Sequence, residues 1–107
     1  MSYSISVQKL KERLDNGDEL FLLDVRESWE YSMAKIEGSV LISLGELATS
    51  LDQLDKEAEI ICYCHHGMRS ADATGFLVQQ GFSNVKNLEG GIDAWSVLVD
   101  PSVPRYQ

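Results

Sequence analysis

The stretch that decides the fold is "AEIICYCHHGMRSADATGFLVQQG", residues 58–81. Its residues 60–63 form an apolar run, which is typical of a strand buried on both faces of a parallel sheet. Residues from about 69 to 80 then place apolar side chains at helical spacing before Gly81, a residue type that ends many helices. The pattern predicts a strand, a short polar loop and a helix.

Segments on both sides of this stretch alternate in the same way. Ser6 is a good helix N-cap, and Asn16-Gly17 provides a stop for the helix that follows it. "EGG", residues 89–91, predicts a turn before a last helix that Pro101 cuts off. We predict further strands at 20–25, 40–42 and 84–88, and further helices at about 6–15 and 92–99.

One more helix is expected after the strand at 40–42. Ser43 and Glu46 stand three residues apart, as in a capping box, and Leu47 and Leu51 follow at helical spacing. We therefore predict an α-helix that opens at Ser43.

Alternating strands and helices imply an α/β fold, with a central parallel sheet of about five strands and helices on both faces. Residues 1–107 are expected to form one domain, since this length and 44% hydrophobic residues suffice for a single core. Ligands of such sheets bind at the carboxyl ends of the strands. "DVRE", "CHHGMRS" and "EGG" should converge there.

Composition narrows the classes of partner. The net charge is −8, and no run of Lys or Arg is present, so we expect neither nucleic acid nor a membrane as partner. The first residues contain no basic segment followed by an apolar one, which favours a cytoplasmic protein. Two cysteines in such a chain favour reduced, reactive sulfur over a disulfide scaffold. We expect no cofactor.

Cys64 lies at the bend between the predicted strand and helix. There, backbone N–H groups of residues 65–70 can surround its sulfur, and the positive end of the helix dipole faces it. Gly67 lets the loop turn without a Cβ penalty. These donors favour the thiolate, which is the nucleophilic form of cysteine.

Cys62 stands two residues earlier, so its side chain shares a sheet face with that of Cys64 at about 6 to 7 Å, too far for an undistorted disulfide. We interpret Cys62 as a core thiol. A redox pair is the alternative, as is a metal site made of Cys62, Cys64, His65 and His66, although that spacing is not typical of zinc ligands.

The other polar residues of the loop have open roles. His65 and His66 either position a substrate or acceptor, or project into solvent. Arg69 could offset the repulsion between an anionic donor and the thiolate, or it could pair with Asp24 or Glu27.

Three separated segments, "LLDVRESWEYSMAKIEGSVLISLGEL" (22–47), "ICYCHHGMRSADATGFLVQQGFSNVKNLEGGIDAW" (61–95) and "DPSVPRY" (100–106), resemble single-domain rhodaneses in order and spacing. The resemblance implies a compact α/β fold around a parallel sheet. It also implies transfer of a sulfane sulfur from a donor such as thiosulfate, through a cysteine persulfide, to a nucleophilic acceptor such as cyanide, a thiol or a thioredoxin-like protein.

Within this resemblance, Cys64 matches the persulfide-forming cysteine, and the loop that follows it consists of His65, His66, Gly67, Met68 and Arg69, with Ser70 opening the helix. Asp24 and Arg26 match the pair of the family's "DVR" segment, to which we assign support of the loop. "AKIEGS" departs from the usual "GHIPGA", so Lys35 and Glu37 replace a His and a Pro.

Other functions remain open. A phosphatase of the cell-cycle dual-specificity type and an arsenate reductase share the fold, but the phosphatase loop is Cys-x5-Arg, whereas Cys64 to Arg69 is one residue shorter. A non-catalytic regulatory module or a sulfur carrier also fits.

Overall fold

The computed structural model describes residues 3–106, which form a parallel sheet flanked by helices. Its longest helix has 12 residues, and no helix within residues 3–106 is long and apolar enough to cross a membrane. The strands are β1 (Ser4–Ile5), β2 (Phe21–Asp24), β3 (Val40–Leu41), β4 (Ile60–Tyr63) and β5 (Val85–Leu88). The α-helices are α1 (Val7–Asp15), α2 (Ser28–Met33), α3 (Met68–Gln79) and α4 (Gly91–Leu98).

The strand order in the sheet is β1-β5-β4-β2-β3, and every neighbouring pair is parallel. Cys62 in the central strand β4 lies opposite Leu23 of β2 and Asn87 of β5. Because all carboxyl ends point the same way, the segments after β2, β4 and β5 meet at one edge. The predicted α/β fold with a central parallel sheet is confirmed.

Helices cover both faces of the sheet. Successive strand residues point to opposite faces, so each strand contributes to two cores. Ile61 and Tyr63 of β4 pack with residues of α1 and α4, whereas Ile60 and Cys62 pack with α3 on the other face. The first core also contains Val7, Leu10, Leu22, Leu88, Ile92 and Trp95, and the second contains Leu23, Leu47, Ala73, Leu77, Phe82 and Val85.

Local signals placed most elements within one or two residues of their observed ends. Ser6 accepts a hydrogen bond from the backbone N–H of Lys9 as the N-cap of α1, and Gly17 and Gly81 have positive φ after α1 and α3. Two elements were missed. β1 has only two residues and α2 only six, so neither is long enough to produce a clear hydrophobic period.

The α-helix predicted after Ser43 is wrong. Two 3-10 helices, Leu44–Thr49 and Leu51–Gln53, take its place. The Ser43 hydroxyl donates to the carboxylate of Glu46 instead of accepting from the backbone, so the reciprocal bonds of a capping box do not form. Leu47 is nevertheless buried against the second core.

Candidate active site

The sulfur of Cys64 lies beneath the loop that joins β4 to α3, and the residue is only 1% exposed. Three donors surround it. The backbone N–H of Gly67 lies 3.1 Å from Sγ, that of Ser70 lies 3.4 Å away, and the Ser70 hydroxyl lies 3.3 Å away. Donors directed at one sulfur favour its anionic form.

This arrangement follows from the way in which α3 begins. Gly67 is the N-cap residue with φ +107°, a conformation that L side chains rarely adopt, and it caps the helix without a side-chain hydrogen bond. The N–H groups of the first turn therefore remain available, and Gly67 and Ser70 direct theirs to Cys64.

The turn before α4 supports the same loop from behind. The backbone N–H groups of Ile92 and Asp93 donate to the carbonyls of Cys64 and His65 at 2.9 and 3.1 Å. Gly91 has φ +62°, and a Cβ atom there would lie 2.5 Å from the Cys64 carbonyl oxygen. The "EGG" turn is thus where the backbone of α4 approaches the loop so closely that a side chain does not fit.

Arg69 has a partner that the sequence analysis did not anticipate. It donates two hydrogen bonds to Glu30, at 2.6 and 2.8 Å, and not to Asp24 or Glu27. The alternative that Arg69 pairs with one of those two residues is wrong, because α2 turns its buried Glu30 towards the first turn of α3. The positive charge of the Arg69 guanidinium is therefore balanced by a carboxylate of the protein itself.

Glu30 joins several elements at this edge. Its carboxylate also accepts from the Tyr106 hydroxyl at 2.7 Å and from the backbone N–H of Glu27 at 3.1 Å, which closes a capping box at the start of α2. The hydrogen bonds from Arg69, and to a smaller extent that from Tyr106, lower the pKa of Glu30 to about 2. The carboxylate is therefore charged at neutral pH although it is buried.

Asp24 and Arg26 form a fully buried ion pair behind the loop. Arg26 donates to both carboxylate oxygens of Asp24, to the Ala34 carbonyl at 2.7 Å and to the Tyr106 hydroxyl at 2.8 Å. Its connection to the loop runs through Tyr106, which contacts Glu30 directly. The assignment of Asp24 and Arg26 as supporting residues stays a prediction.

The two histidines of the loop differ in environment. His65 stacks on the Tyr106 ring at 4.1 Å, and its Nε2 is buried without a hydrogen-bond partner. Burial lowers the pKa of His65, so its ring is neutral at physiological pH. His66 stacks on the outer side of His65 and is exposed. A cleft of about 400 Å³ beside the loop is lined by His65, His66, Asp93, Arg105 and Tyr106.

The remaining members of the loop and the second cysteine complete the site. Met68 is 81% exposed at the start of α3. Cys62 is fully buried, and burial raises the pKa of its thiol to about 12. Both cysteines are free thiols. Across residues 3–106, no group of three or more His, Cys, Asp or Glu side chains is placed to hold a metal ion.

Three residues at the site were not predicted from the sequence: Glu30, Tyr106 and Asn87. Glu30 had a local signal, because Glu27 and Glu30 have the spacing of a capping box. Asn87 had one too, since it is a polar residue two positions after the buried Val85 and faces the same side of β5. Tyr106 had none, because its partners lie 76 and 80 residues away.

The structure thus defines a parallel α/β protein in which hydrogen-bond donors surround one cysteine sulfur at the carboxyl edge of the sheet. The Rhodanese-like domain model matches residues 6–98, and the chain belongs to this family. The resemblance noted in the sequence is confirmed.

The chain is also similar to individual proteins of comparable length. Over 97 residues the chain is 41% identical to the "Putative sulfurtransferase YtwF" of Bacillus subtilis, covering 91% of this chain and 93% of that protein. It is 34% identical to the "Thiosulfate sulfurtransferase GlpE" of Pseudoalteromonas translucida, covering 94% and 95%. A crystal structure of a rhodanese-related protein from Thermoplasma volcanium superposes with a TM-score of 0.84 at 34% identity, covering 96% of this chain and 98% of that one.

Proposed function

We propose that this protein is a sulfurtransferase. It takes a sulfane sulfur from an anionic donor such as thiosulfate onto Cys64, and it passes that sulfur to a thiol or to cyanide. The observation that carries this proposal is the set of three donors within 3.4 Å of the Cys64 sulfur. The similarity to YtwF and GlpE, which are named as sulfurtransferases, supports the same activity.

The loading step is a displacement at sulfur. The Cys64 thiolate attacks the outer sulfur of thiosulfate, a new S–S bond forms, and the S–S bond of thiosulfate breaks with its electron pair leaving on sulfite. Cys64 then carries a persulfide whose negative charge lies on the outer sulfur. The step needs no base when the attacking sulfur is a thiolate.

The second step regenerates the enzyme. An acceptor thiolate or cyanide attacks the outer sulfur, the S–S bond to Cys64 breaks, and its electron pair returns to Sγ. The same N–H and O–H donors then stabilise the thiolate as the leaving group. We place the acceptor in the cleft beside His65 and Tyr106. The same cleft contains the ion pair of Asp93 and Arg105. A thioredoxin-like protein is compatible with its open rim.

The negative charge of the donor is met mainly by backbone groups in this proposal. Both terminal nitrogens of Arg69 are bonded to Glu30, so the guanidinium does not offer them freely to an incoming anion. The loop N–H groups and the start of α3 supply the positive potential instead. This revises the role that Arg69 was expected to have.

The same ion pair argues against a phosphatase. A Cys-x5-Arg phosphatase uses its loop to surround a tetrahedral phosphate, whereas here the loop is one residue shorter and Arg69 is held by Glu30. A carrier that is loaded by another enzyme would share the persulfide but would not turn over with small molecules. A turnover measurement distinguishes such a carrier from an enzyme.

The test is mass spectrometry of the protein after incubation with thiosulfate. We expect Cys64 to gain one sulfur atom, about 32 Da, and sulfite to be released in multiple turnovers when cyanide or a small thiol is added. Cys64→Ser should abolish both results. The matched control Cys62→Ser should retain both, because that thiol is buried and neutral.

Turnover with an unmodified Cys64 would contradict the persulfide mechanism. Equal loss in the two serine variants would favour a redox pair instead. A persulfide that forms without turnover, whatever the small acceptor, would indicate a carrier.

A further inference from the structure

Asn87 lies at the carboxyl end of β5, directly opposite Cys62 in the register of the sheet. Its side chain is on the face of the sheet that α3 covers, and it is partly buried. A polar side chain at such a position needs hydrogen-bond partners.

Both ends of the Asn87 amide have a partner in the active-site loop. Its Nδ2 donates to the carbonyl of Gly67 at 3.1 Å, and its Oδ1 accepts from the hydroxyl of Ser70 at 2.5 Å. The orientation of the amide follows from chemistry, because only the nitrogen can donate to a carbonyl oxygen.

These two partners are the residues whose N–H and O–H groups surround the Cys64 sulfur. We infer that Asn87 is a positioning residue for the nucleophile. By donating to the Gly67 carbonyl and accepting from the Ser70 hydroxyl, it fixes the two residues whose backbone N–H groups point at Sγ. The inference rests on the proposed function only in identifying Cys64 as the nucleophile.

The hydroxyl of Ser70 has one proton and two acceptors within reach, Cys64 Sγ at 3.3 Å and Asn87 Oδ1 at 2.5 Å. The Asn87 oxygen is the closer acceptor, so this proton fixes the position of Ser70. The backbone N–H groups of Gly67 and Ser70 then remain directed at Sγ.

The experiment measures alkylation of Cys64 by iodoacetamide as a function of pH, with the modified residue located by mass spectrometry. For Asn87→Ala we expect the rate near pH 7 to fall about 3- to 10-fold, the effect of one or two lost hydrogen bonds. At about pH 10, where thiols in general are ionised, the rates should converge. A merely structural role would lower the rate at every pH.

Asn87→Asp sharpens the test, because aspartate has nearly the same shape. It loses the donor to Gly67 and adds a negative charge near the sulfur, so its loss near neutral pH should exceed that of Asn87→Ala. The matched control is Asn84→Asp, the same substitution at an exposed position just before β5, which should leave the rate unchanged.

A double-mutant cycle tests the route through Ser70. Because Asn87 acts partly on that hydroxyl, the combined loss in Ser70→Ala/Asn87→Ala should be smaller than the product of the two single losses. If Asn87→Ala does not fold, the near-isosteric Asn87→Asp carries the comparison.

Four outcomes would overturn the inference: an unchanged or faster alkylation of Asn87→Ala, a loss that is equal at all pH values, an Asn87→Asp rate no lower than that of Asn87→Ala, or fully independent effects in the cycle. Alkylation needs no sulfur donor. A wild-type protein that follows these alkylation predictions but never forms a persulfide would therefore count against the proposed function and not against Asn87.

Discussion

Arg69 donates both of its terminal N–H groups to the carboxylate of Glu30, at 2.6 and 2.8 Å, across 39 residues of sequence. This ion pair ties α2 to the first turn of α3, next to the loop that carries Cys64. Glu30 is buried, whereas the Arg69 side chain is 38% exposed. The charge of the carboxylate therefore depends on this partner.

Arg69→Ala should reduce the free energy of unfolding by about 2 kcal/mol, between the values for surface and buried ion pairs, because it leaves the buried carboxylate without its cation. In Glu30→Gln the same replacement of Arg69 should cost less, since no charge is left unpaired. Urea unfolding of the four proteins of this cycle measures the difference. Additive losses would show that the pair contributes nothing.

Arg105→Ala is the matched control for that cycle. Its bidentate partner Asp93 is 16% exposed and the Arg105 side chain is 63% exposed, so this pair is more open to water than Arg69 and Glu30. The expected loss is about 0.5 kcal/mol or less, as for other exposed ion pairs. A loss as large as that of Arg69→Ala would contradict the contrast between the two sites.

The pH dependence of stability should report Glu30. Its pKa falls from 4.5 to about 2 in the folded protein, so its stabilisation is present above about pH 4.5 and is lost as the pH falls towards 2. The stability of the wild type relative to Glu30→Gln should decrease by on the order of 3 kcal/mol over that window. Urea unfolding at a series of pH values measures this.

In the Arg69→Ala background the same pH dependence should shrink, since Arg69 is the main cause of the lowered pKa. An unchanged dependence there would assign the effect to other partners.

Gly91→Ala should destabilise the protein by about 2 kcal/mol or more and slow persulfide formation. Its φ is +62°, and the added Cβ atom would lie 2.4 to 2.5 Å from the carbonyl oxygens of His65 and Cys64, so the loop must shift. Gly75→Ala is the control with the opposite sign. It lies inside α3 with no atom within 4 Å of the added Cβ, and it should stabilise by roughly 0.5 to 1 kcal/mol.

Thermal unfolding and mass spectrometry after thiosulfate check the two glycine variants together. A Gly91→Ala protein with normal stability and normal loading would show that the turn tolerates a side chain.

Tyr106→Phe should lower the free energy of unfolding by about 1 to 3 kcal/mol, because the hydroxyl accepts from Arg26 and donates to Glu30 inside the protein. Tyr3→Phe, at a residue that is 48% exposed, should change it by less than about 0.5 kcal/mol. Urea unfolding of both variants gives the comparison. Equal losses in the two variants would contradict the proposed bridge from Arg26 through Tyr106 to the loop.

Most of the fold was readable from the sequence because its signals are local. The apolar run at 60–63, the N-cap Ser6 and the stops at Gly17 and Gly81 each act within a few residues. The prediction of an α-helix after Ser43 failed because the Ser43 hydroxyl donates to the Glu46 carboxylate and does not cap the backbone. That choice depends on the surrounding packing and not on residue spacing.

The candidate site was readable only in part. Cys64 could be found because its loop lies between a strand and a helix that sequence patterns predict. The partner of Arg69 could not be predicted, since α2 has only six residues and no clear hydrophobic period. The approach of α2 to α3 is set by the packing of both helices on the sheet.

By itself the sequence determined a parallel α/β fold and a cysteine at the start of a helix. Hydrophobic periodicity, N-caps and helix-ending glycines are local features that depend on residues close together in the chain. Tertiary structure alone decided that Glu30 neutralises Arg69, that Tyr106 bridges Arg26 to Glu30, and that Asn87 holds the Ser70 hydroxyl beside the sulfur. These contacts join residues 17 to 80 positions apart. They depend on which strands are neighbours and on how side chains pack between them.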